Sequence, residues 1–246
     1  MTPERLAPIY IGCAGWSLSR RNANAFPSEG TQLQRYAARL PAVEINSSFY
    51  RPHQPKTYAR WAAAVPTSFR FAVKLPRAIT HERRLRGSEE LLEQFFAQAG
   101  ALGAKLGCVL VQLPPSLGFD FATAAGFLVA LRERFAGSVA LEPRHASWFA
   151  PAPERLMREQ HIARVAAHPA PVPAAAAPGG DGALVYWRLH GSPRTYFSNY
   201  EDDRLDVVAR RVRDSALSAT TVWCIFDNTA SGAAVANALD LHQACA

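Results

Sequence analysis

Eight short apolar runs recur along the chain about every thirty residues, and this rhythm limits the fold more than any other feature. They are IYIGCA (9–14), AVEIN (42–46), FRFAVKL (69–75), GCVLVQL (107–113), VALE (139–142), IARVAA (162–167), ALVYWRLH (183–190) and TVWCIFD (221–227). Helix-like segments near 31–39, 56–64, 88–102, 121–135, 151–160, 201–217 and 231–243 separate most of them. Alternating strands and helices imply a parallel sheet, and eight such units predict one α/β domain over 1–246, a (β/α)8 TIM-barrel-like fold. One connection breaks the pattern. The segment HPAPVPAAAAPGGDG (168–182) cannot form a regular helix, because its prolines interrupt the hydrogen-bond ladder. An irregular loop is therefore expected to replace much of the sixth crossover.

Alternate side chains of a strand point to opposite faces, which sorts these runs further. Val43 and Ile45 oppose Glu44 and Asn46, while Phe71, Val73 and Leu75 oppose Ala72 and Lys74. Val109, Val111 and Leu113 oppose Leu110 and Gln112, and Val139 and Leu141 oppose Ala140 and Glu142. Val185, Trp187 and Leu189 oppose Tyr186, Arg188 and His190. Five strands thus carry one apolar face to pack on helices and a second face that turns polar only near its C-terminal end. In a barrel that second face points inward, and its C-terminal end is where active sites are built. Asp227 and Asn228 end the last run, and Arg144 and His145 lie just beyond the fifth. Unpaired ions inside a protein cost several kcal/mol each, so this set must pair internally or meet a ligand. Its gathering at one end favours a ligand site over a purely structural ion-pair network.

Composition adds exclusions. With 246 residues, 49% hydrophobic and 19% charged, the chain has material for a sizeable core. No apolar run approaches the roughly 20 residues that span a bilayer, and the N-terminal segment does not read as a secretory signal. A cytoplasmic location with no membrane partner is expected. Cys13, Cys108, Cys224 and Cys245 are widely spaced, and the first three read as small buried hydrophobes. The net charge of +7 comes with no dense basic block beyond HERRLR (81–86), so it argues only weakly for acidic partners.

The segments GCAGWS (12–17), VEINSSFYRP (43–52), FRFAVKLPRAITH (69–81), LGCVLVQLPPS (106–116), LEPRHASWF (141–149), VYWRLHG (185–191) and FDNTASGAAVANALDL (226–241) together resemble the DUF72 (YecE-like) family. The resemblance runs from about residue 9 to 243, in order, and implies a TIM-barrel-like fold without implying a reaction. By matching position it implies site residues Glu44, Asn46, Tyr50, Lys74, Thr80, His81, Gln112, Glu142, Arg144, His145, Trp148, Arg188, His190, Asp227 and Asn228. Two positions depart from the family pattern. Pro143 replaces a Phe, and the sixth strand leads into Ala167-His168-Pro169 where an Asp is usual, removing a carboxylate from the mouth.

The leading functional reading is binding of a small polar or anionic molecule at the C-terminal mouth, with conversion by general acid/base and electrostatic catalysis of a hydrolase or lyase type. In it Glu44, Lys74, Glu142, His145, His190 and Asp227 are the catalytic candidates. Asn46, Tyr50, His81, Gln112, Arg144, Trp148, Arg188 and Asn228 are the ligand-binding ones, with arginine offering a bidentate fork to anions. The alternative is a nucleic-acid-binding or nucleic-acid-processing protein that uses Arg83, Arg84 and Arg86 with Trp16, Tyr50, Trp148 and Tyr196 for stacking. Glu44, Glu142, His145, His190 and Asp227 have ligand chemistry for a divalent cation. However, they lack a metal-motif spacing and have Lys and Arg beside them, so no metal or organic cofactor is expected. Lys74 is expected to form a salt bridge; the competing reading is a Schiff-base amine on a strand end. Nothing in the sequence fixes the oligomeric state.

Overall fold

The computed structural model describes residues 6–246. Its strands are β1 (Ile9–Ala14), β2 (Ala42–Ile45), β3 (Arg70–Lys74), β4 (Leu106–Gln112), β5 (Val139–Glu142), β6 (Ile162–Arg164), β7 (Ala166–His168), β8 (Gly179–Gly180), β9 (Leu184–Leu189) and β10 (Thr221–Phe226). Its α-helices are α1 (Gln32–Ala37), α2 (Ser47–Tyr50), α3 (Pro55–Ala63), α4 (Glu89–Ala99), α5 (Phe121–Arg134), α6 (Pro151–Glu159), α7 (Asp202–Ala216) and α8 (Ala233–Cys245). Local chemistry sets several starts. Thr31 and Gln34 form a capping box on α1, Asp120 accepts from Thr123 N at α5, and prolines occupy the first turns of α3 and α6.

The strands form one sheet in the order β7-β9-β10-β1-β2-β3-β4-β5-β6-β8, and every pairing but the last is parallel. The ring closes because β6 and β7 are consecutive parts of one strand, split at Val165. The first part pairs with β5 and the second with β9. Counting that strand once gives the eight-stranded α/β barrel expected from the rhythm of the sequence. In the lower half of the seam, β6 pairs instead with the antiparallel Gly179–Gly180.

The predicted faces are the observed ones. Val43, Phe71, Val109, Val139, Trp187 and Leu189 join the large core between barrel and helices. Ala42, Ala72, Cys108, Leu110, Ala140, Ala163, Tyr186, Trp223 and Ile225 form a second cluster inside the barrel. Four alanines there leave room for two large rings: Tyr186 stacks on Trp223 with centroids 5.8 Å apart. Gly12 marks the tightest strand contact, since a Cβ there would lie 2.0 Å from the Ala42 carbonyl oxygen. Three cysteines are buried, Cys245 is half-buried, and all four are free thiols.

The sixth crossover is irregular, as its prolines require, with a single 3-10 turn at Pro173–Ala176 before β8. Arg164 anchors it. Its guanidinium donates to Ala174 O and Ala177 O, both at 3.1 Å, and pairs with Glu154, whose other oxygen accepts Gly180 N at 2.8 Å. Among the described residues no helix is long and apolar enough to cross a membrane.

Candidate functional site

Along β2, β3, β4, β5 and β9 the inward face is mostly apolar until its last residues, then turns polar or charged. β2 delivers Glu44, β3 Lys74, β4 Gln112, β5 Glu142 and β9 Arg188, with His190 just past β9 and Asp227 just past β10. Glu44, Lys74, Glu142, Arg188, His190 and Asp227 are all buried.

Arg188 is the hub. Its Nε and Nη2 grip both oxygens of Glu44 at 3.1 and 2.7 Å, Nη1 donates to Glu142 Oε2 at 2.6 Å, and Nη2 also reaches Asp227 Oδ2 at 3.0 Å. Tyr186 OH donates to Glu44 Oε2 at 2.9 Å from the layer below. Arg144 Nη2 donates to Glu142 Oε1 at 2.9 Å. His190 bridges two carboxylates, with Nε2 2.9 Å from Glu142 Oε1 and Nδ1 3.1 Å from Asp227 Oδ2. Burial opposes charge on Glu142, but Arg188, Arg144 and His190 outweigh it and hold its carboxyl well below the usual carboxylate range. Asp227 is lowered in the same way: burial works against it, and Arg188, His190 and Lys74 prevail. Glu142 and Asp227 are therefore anions at neutral pH, fixed in place by donors.

Lys74 departs from the salt bridge expected of it. Among the described residues no carboxylate lies within ion-pair distance of its ammonium. Nζ instead sits 4.1 Å from the centre of the Phe49 ring, a cation–π contact. Burial, and after it repulsion from Arg188, push this lysine down from 10.5 to about 8, against the attraction of Glu44, Asp227 and Glu142. The reason is geometric: the carboxylates that could have paired with it are already held by Arg188.

Phe49 organises that side of the mouth. His81 packs edge-on to its ring at 4.9 Å and Tyr50 at 5.0 Å, and Thr80 Oγ1 lies 2.8 Å from His81 Nδ1. Burial, then Lys74 and Arg77, lower the His81 imidazole below its ordinary value. Tyr50 is 78% exposed at the rim. On the opposite side Tyr196 covers His190 edge-on at 5.8 Å. Phe49 and Tyr186 are absent from the expected site set. Tyr186 had a signal, since it lies two residues before Arg188 on the same strand face, but Phe49 sits in a short helix where strand alternation gives no direction.

Other expected residues lie apart from the network or only touch its edge. His145 is exposed and caps the 3-10 turn at 146–149, accepting from Ser147 N at 3.2 Å. Trp148 is buried as a loop anchor, donating Nε1 to Leu117 O at 2.9 Å. Asn228 donates to Asn237 Oδ1 and Ser198 O, tying α8 to the loop before α7. Gln112 donates to the neighbouring Leu113 O, beside Glu142 in register. Asn46 makes a long 3.5 Å contact to Asp227 and leaves Oδ1 buried without a partner, as is Arg144 Nε. His168, at the end of β7, contacts Tyr200 OH and Arg204. Among the described residues no three His, Cys, Asp or Glu side chains are grouped to hold a metal ion. Glu44 and Glu142 direct their oxygens to guanidinium groups and other donors instead.

Comparisons with known proteins agree with this architecture. The chain is 30% identical over 173 residues to the UPF0759 protein YecE of Escherichia coli K12, a match covering 68% of this chain and 61% of that protein's length. It therefore spans less than two thirds of that relative. A crystal structure of a DUF72 family protein from Enterococcus faecalis V583 superposes with TM-score 0.82 at 24% identity, covering 96% of this chain and 95% of the other. A sugar phosphate isomerase/epimerase from Parabacteroides distasonis shares the fold alone, with TM-score 0.57 and 11% identity over 100% of this chain and 96% of its own. The family model described as "Protein of unknown function DUF72" matches residues 10–246, and the chain belongs to that family.

Proposed function

We propose that this barrel binds a small polar or anionic molecule at its C-terminal mouth, and that Lys74 is the group that meets it and exchanges a proton with it. One observation carries the reading: Lys74 is a buried cation with no direct ion-pair partner among the described residues, beside a network in which Arg188 and Arg144 take the carboxylates at hydrogen-bond distance. Three carboxylates face Arg188, Arg144 and Lys74, so the mouth is close to neutral overall. The ammonium nevertheless makes no hydrogen bond to the described residues, and a carboxylate or phosphate oxygen of a ligand supplies the acceptor it lacks. A lysine titrating near 8 gives and takes protons close to neutral pH, the range in which general acid/base groups are effective. Arg188 and the carboxylates act as a rigid frame that fixes the field around it.

The test is thermal denaturation of wild type and Lys74→Met against a panel of phosphate esters, carboxylates and sugar acids. A ligand that raises the wild-type melting temperature should lose that effect in the variant. Equal stabilisation of both proteins, or none by any compound, removes the reading. Nucleic-acid binding is the second reading, supported by Arg83, Arg84 and Arg86 lining one cavity of about 260 Å³ beside the mouth. Of the aromatic residues it invokes, Trp148 is buried and Tyr50 and Tyr196 are exposed. Retention of single-stranded DNA or RNA that falls steeply with salt supports it, and no retention at low salt removes it.

A further inference from the structure

We propose that Lys74 is an imine-forming amine and that the ligand class is a small carbonyl compound bearing an anionic or polar group, such as a 2-oxo acid or hydroxy-aldehyde. The proposal rests on the mouth being a ligand site and specifies the chemistry of the group that meets the ligand. Lys74 ends β3 on the inward face, with its ammonium against an aromatic ring rather than a carboxylate. A lysine becomes nucleophilic when it is desolvated or placed beside another cation, and Lys74 has both conditions, burial and the nearby Arg188. The groups facing it are Arg188 from β9, Glu44 from β2, Asp227 after β10, Glu142 from β5 and His81 from the loop after β3. With a value of about 8, roughly a quarter of this amine is neutral at pH 7.5, against about one part in a thousand for an ordinary lysine.

The chemistry balances without an added oxidant or reductant. The neutral Nζ lone pair attacks the carbonyl carbon, the oxygen takes up a proton, and the nitrogen gives one up to form a carbinolamine. Protonation of its hydroxyl expels water and leaves an iminium between Lys74 and the former carbonyl carbon. Hydrolysis reverses every step and frees the amine. The iminium withdraws electrons from the adjacent bonds, so a proton is lost more easily from the neighbouring carbon. Asn46 Oδ1 and Arg144 Nε are polar atoms without partners on groups that contact the same network, and both suit the remaining polar substituents.

The chain is well suited to the decisive experiment because Lys56, Lys74 and Lys105 are its only lysines. Lys56 is exposed, and Lys105 is committed to the Ala62 and Val65 carbonyls. Wild-type protein is incubated with pyruvate, and separately with glycolaldehyde, then reduced with borohydride and mapped by peptide mass. The expected result is a reduced adduct on Lys74 at least tenfold above that on Lys56, rising with pH to a midpoint near 8. Lys56→Arg should retain the adduct and Lys74→Arg should lose it. If Lys74→Arg fails to fold, the wild-type peptide map still decides. No adduct, or modification of Lys56 as readily as Lys74, overturns the proposal. Loss of pyruvate stabilisation in Lys74→Met without any adduct leaves anion binding intact and refutes the imine alone. Absence of both effects speaks against the two together.

Discussion

Replacing Arg188 by methionine probes the physics of the mouth most directly. The side chain is 1% exposed and holds three carboxylates through four hydrogen bonds. Methionine keeps much of the volume, so the loss is mainly electrostatic. Removing one partner of a buried ion pair costs about 3–5 kcal/mol. In this network Arg144, Tyr186 and His190 still serve the carboxylates, which holds the cost within that range. At roughly 2–4 °C per kcal/mol for a protein of this size, the melting temperature should fall by about 6–20 °C.

The dependence on pH gives a sharper signature. In wild type the Glu142 and Asp227 carboxyls sit below their unfolded values. Their contribution is therefore complete above the unfolded carboxylate range, near pH 4, and is lost as pH falls through the folded values. Without Arg188 burial outweighs the remaining donors, and the folded Glu142 and Asp227 carboxyls should rise above their unfolded values. Acidification from pH 8 to 5 then stabilises the variant relative to wild type, both losing stability over this range as the lowered imidazoles of His53, His81, His168 and His242 take up protons. Urea titrations followed by tryptophan fluorescence at pH 8 and pH 5 measure both slopes. A loss under 1 kcal/mol at pH 7, or no narrowing of the gap between variant and wild type on acidification, refutes the account. Adding Glu44→Gln and Glu142→Gln to Arg188→Met should recover part of the loss, because fewer buried anions then lack a cation.

Three other outcomes follow. Lys74→Met should stabilise the fold at pH 7 by up to about 3 kcal/mol, since a lysine lowered to about 8 is penalised in the folded state below that pH, and chemical denaturation should show the gain shrinking as pH rises from 8 towards 10.5. Gly12→Ala should cost more than about 3 kcal/mol or prevent folding, read by circular dichroism, because its Cβ meets the Ala42 backbone where no side chain can move aside. Trp148→Phe should cost about 1 kcal/mol in a urea titration through the lost bond to Leu117 O, with ligand binding at the mouth unaltered.

The barrel and its inward polar ends were legible because strand alternation is a strict geometric rule: once Val43 and Ile45 are known to face the helices, Glu44 must face in. The same rule placed Lys74, Glu142, Arg188 and His190 correctly. It stops at the strand ends. Beyond them His145, Trp148 and Asn228 follow loop geometry, which the pattern does not encode, and each is occupied with a backbone or side-chain partner of its own. The lysine misled for a different reason. Charge counting matches Lys74 to any carboxylate on the same face, whereas the fork of Arg188 takes Glu44 at both oxygens and leaves the lysine an aromatic ring. The split of the sixth strand at Val165 and the two-residue strand at Gly179–Gly180 are also tertiary outcomes, too short to leave a periodic trace.

Arg164 has a consequence for how this chain can tolerate change. A crossover helix satisfies its own backbone, but the 168–182 connection is too proline-rich to do so, and one guanidinium supplies donors for two of its carbonyls while the partnered Glu154 accepts one of its amides. The loop is thus pinned at residues 174, 177 and 180, and Gly179 lies so close to the guanidinium that a Cβ would meet it at 2.4 Å. Insertions or deletions between the pins would shift all three contacts out of phase. Changes of length between 168 and 173 only lengthen or shorten a tether upstream of the first pin. Length variation among chains built this way should therefore concentrate before residue 174, with an arginine retained on the sixth strand wherever the crossover helix is missing.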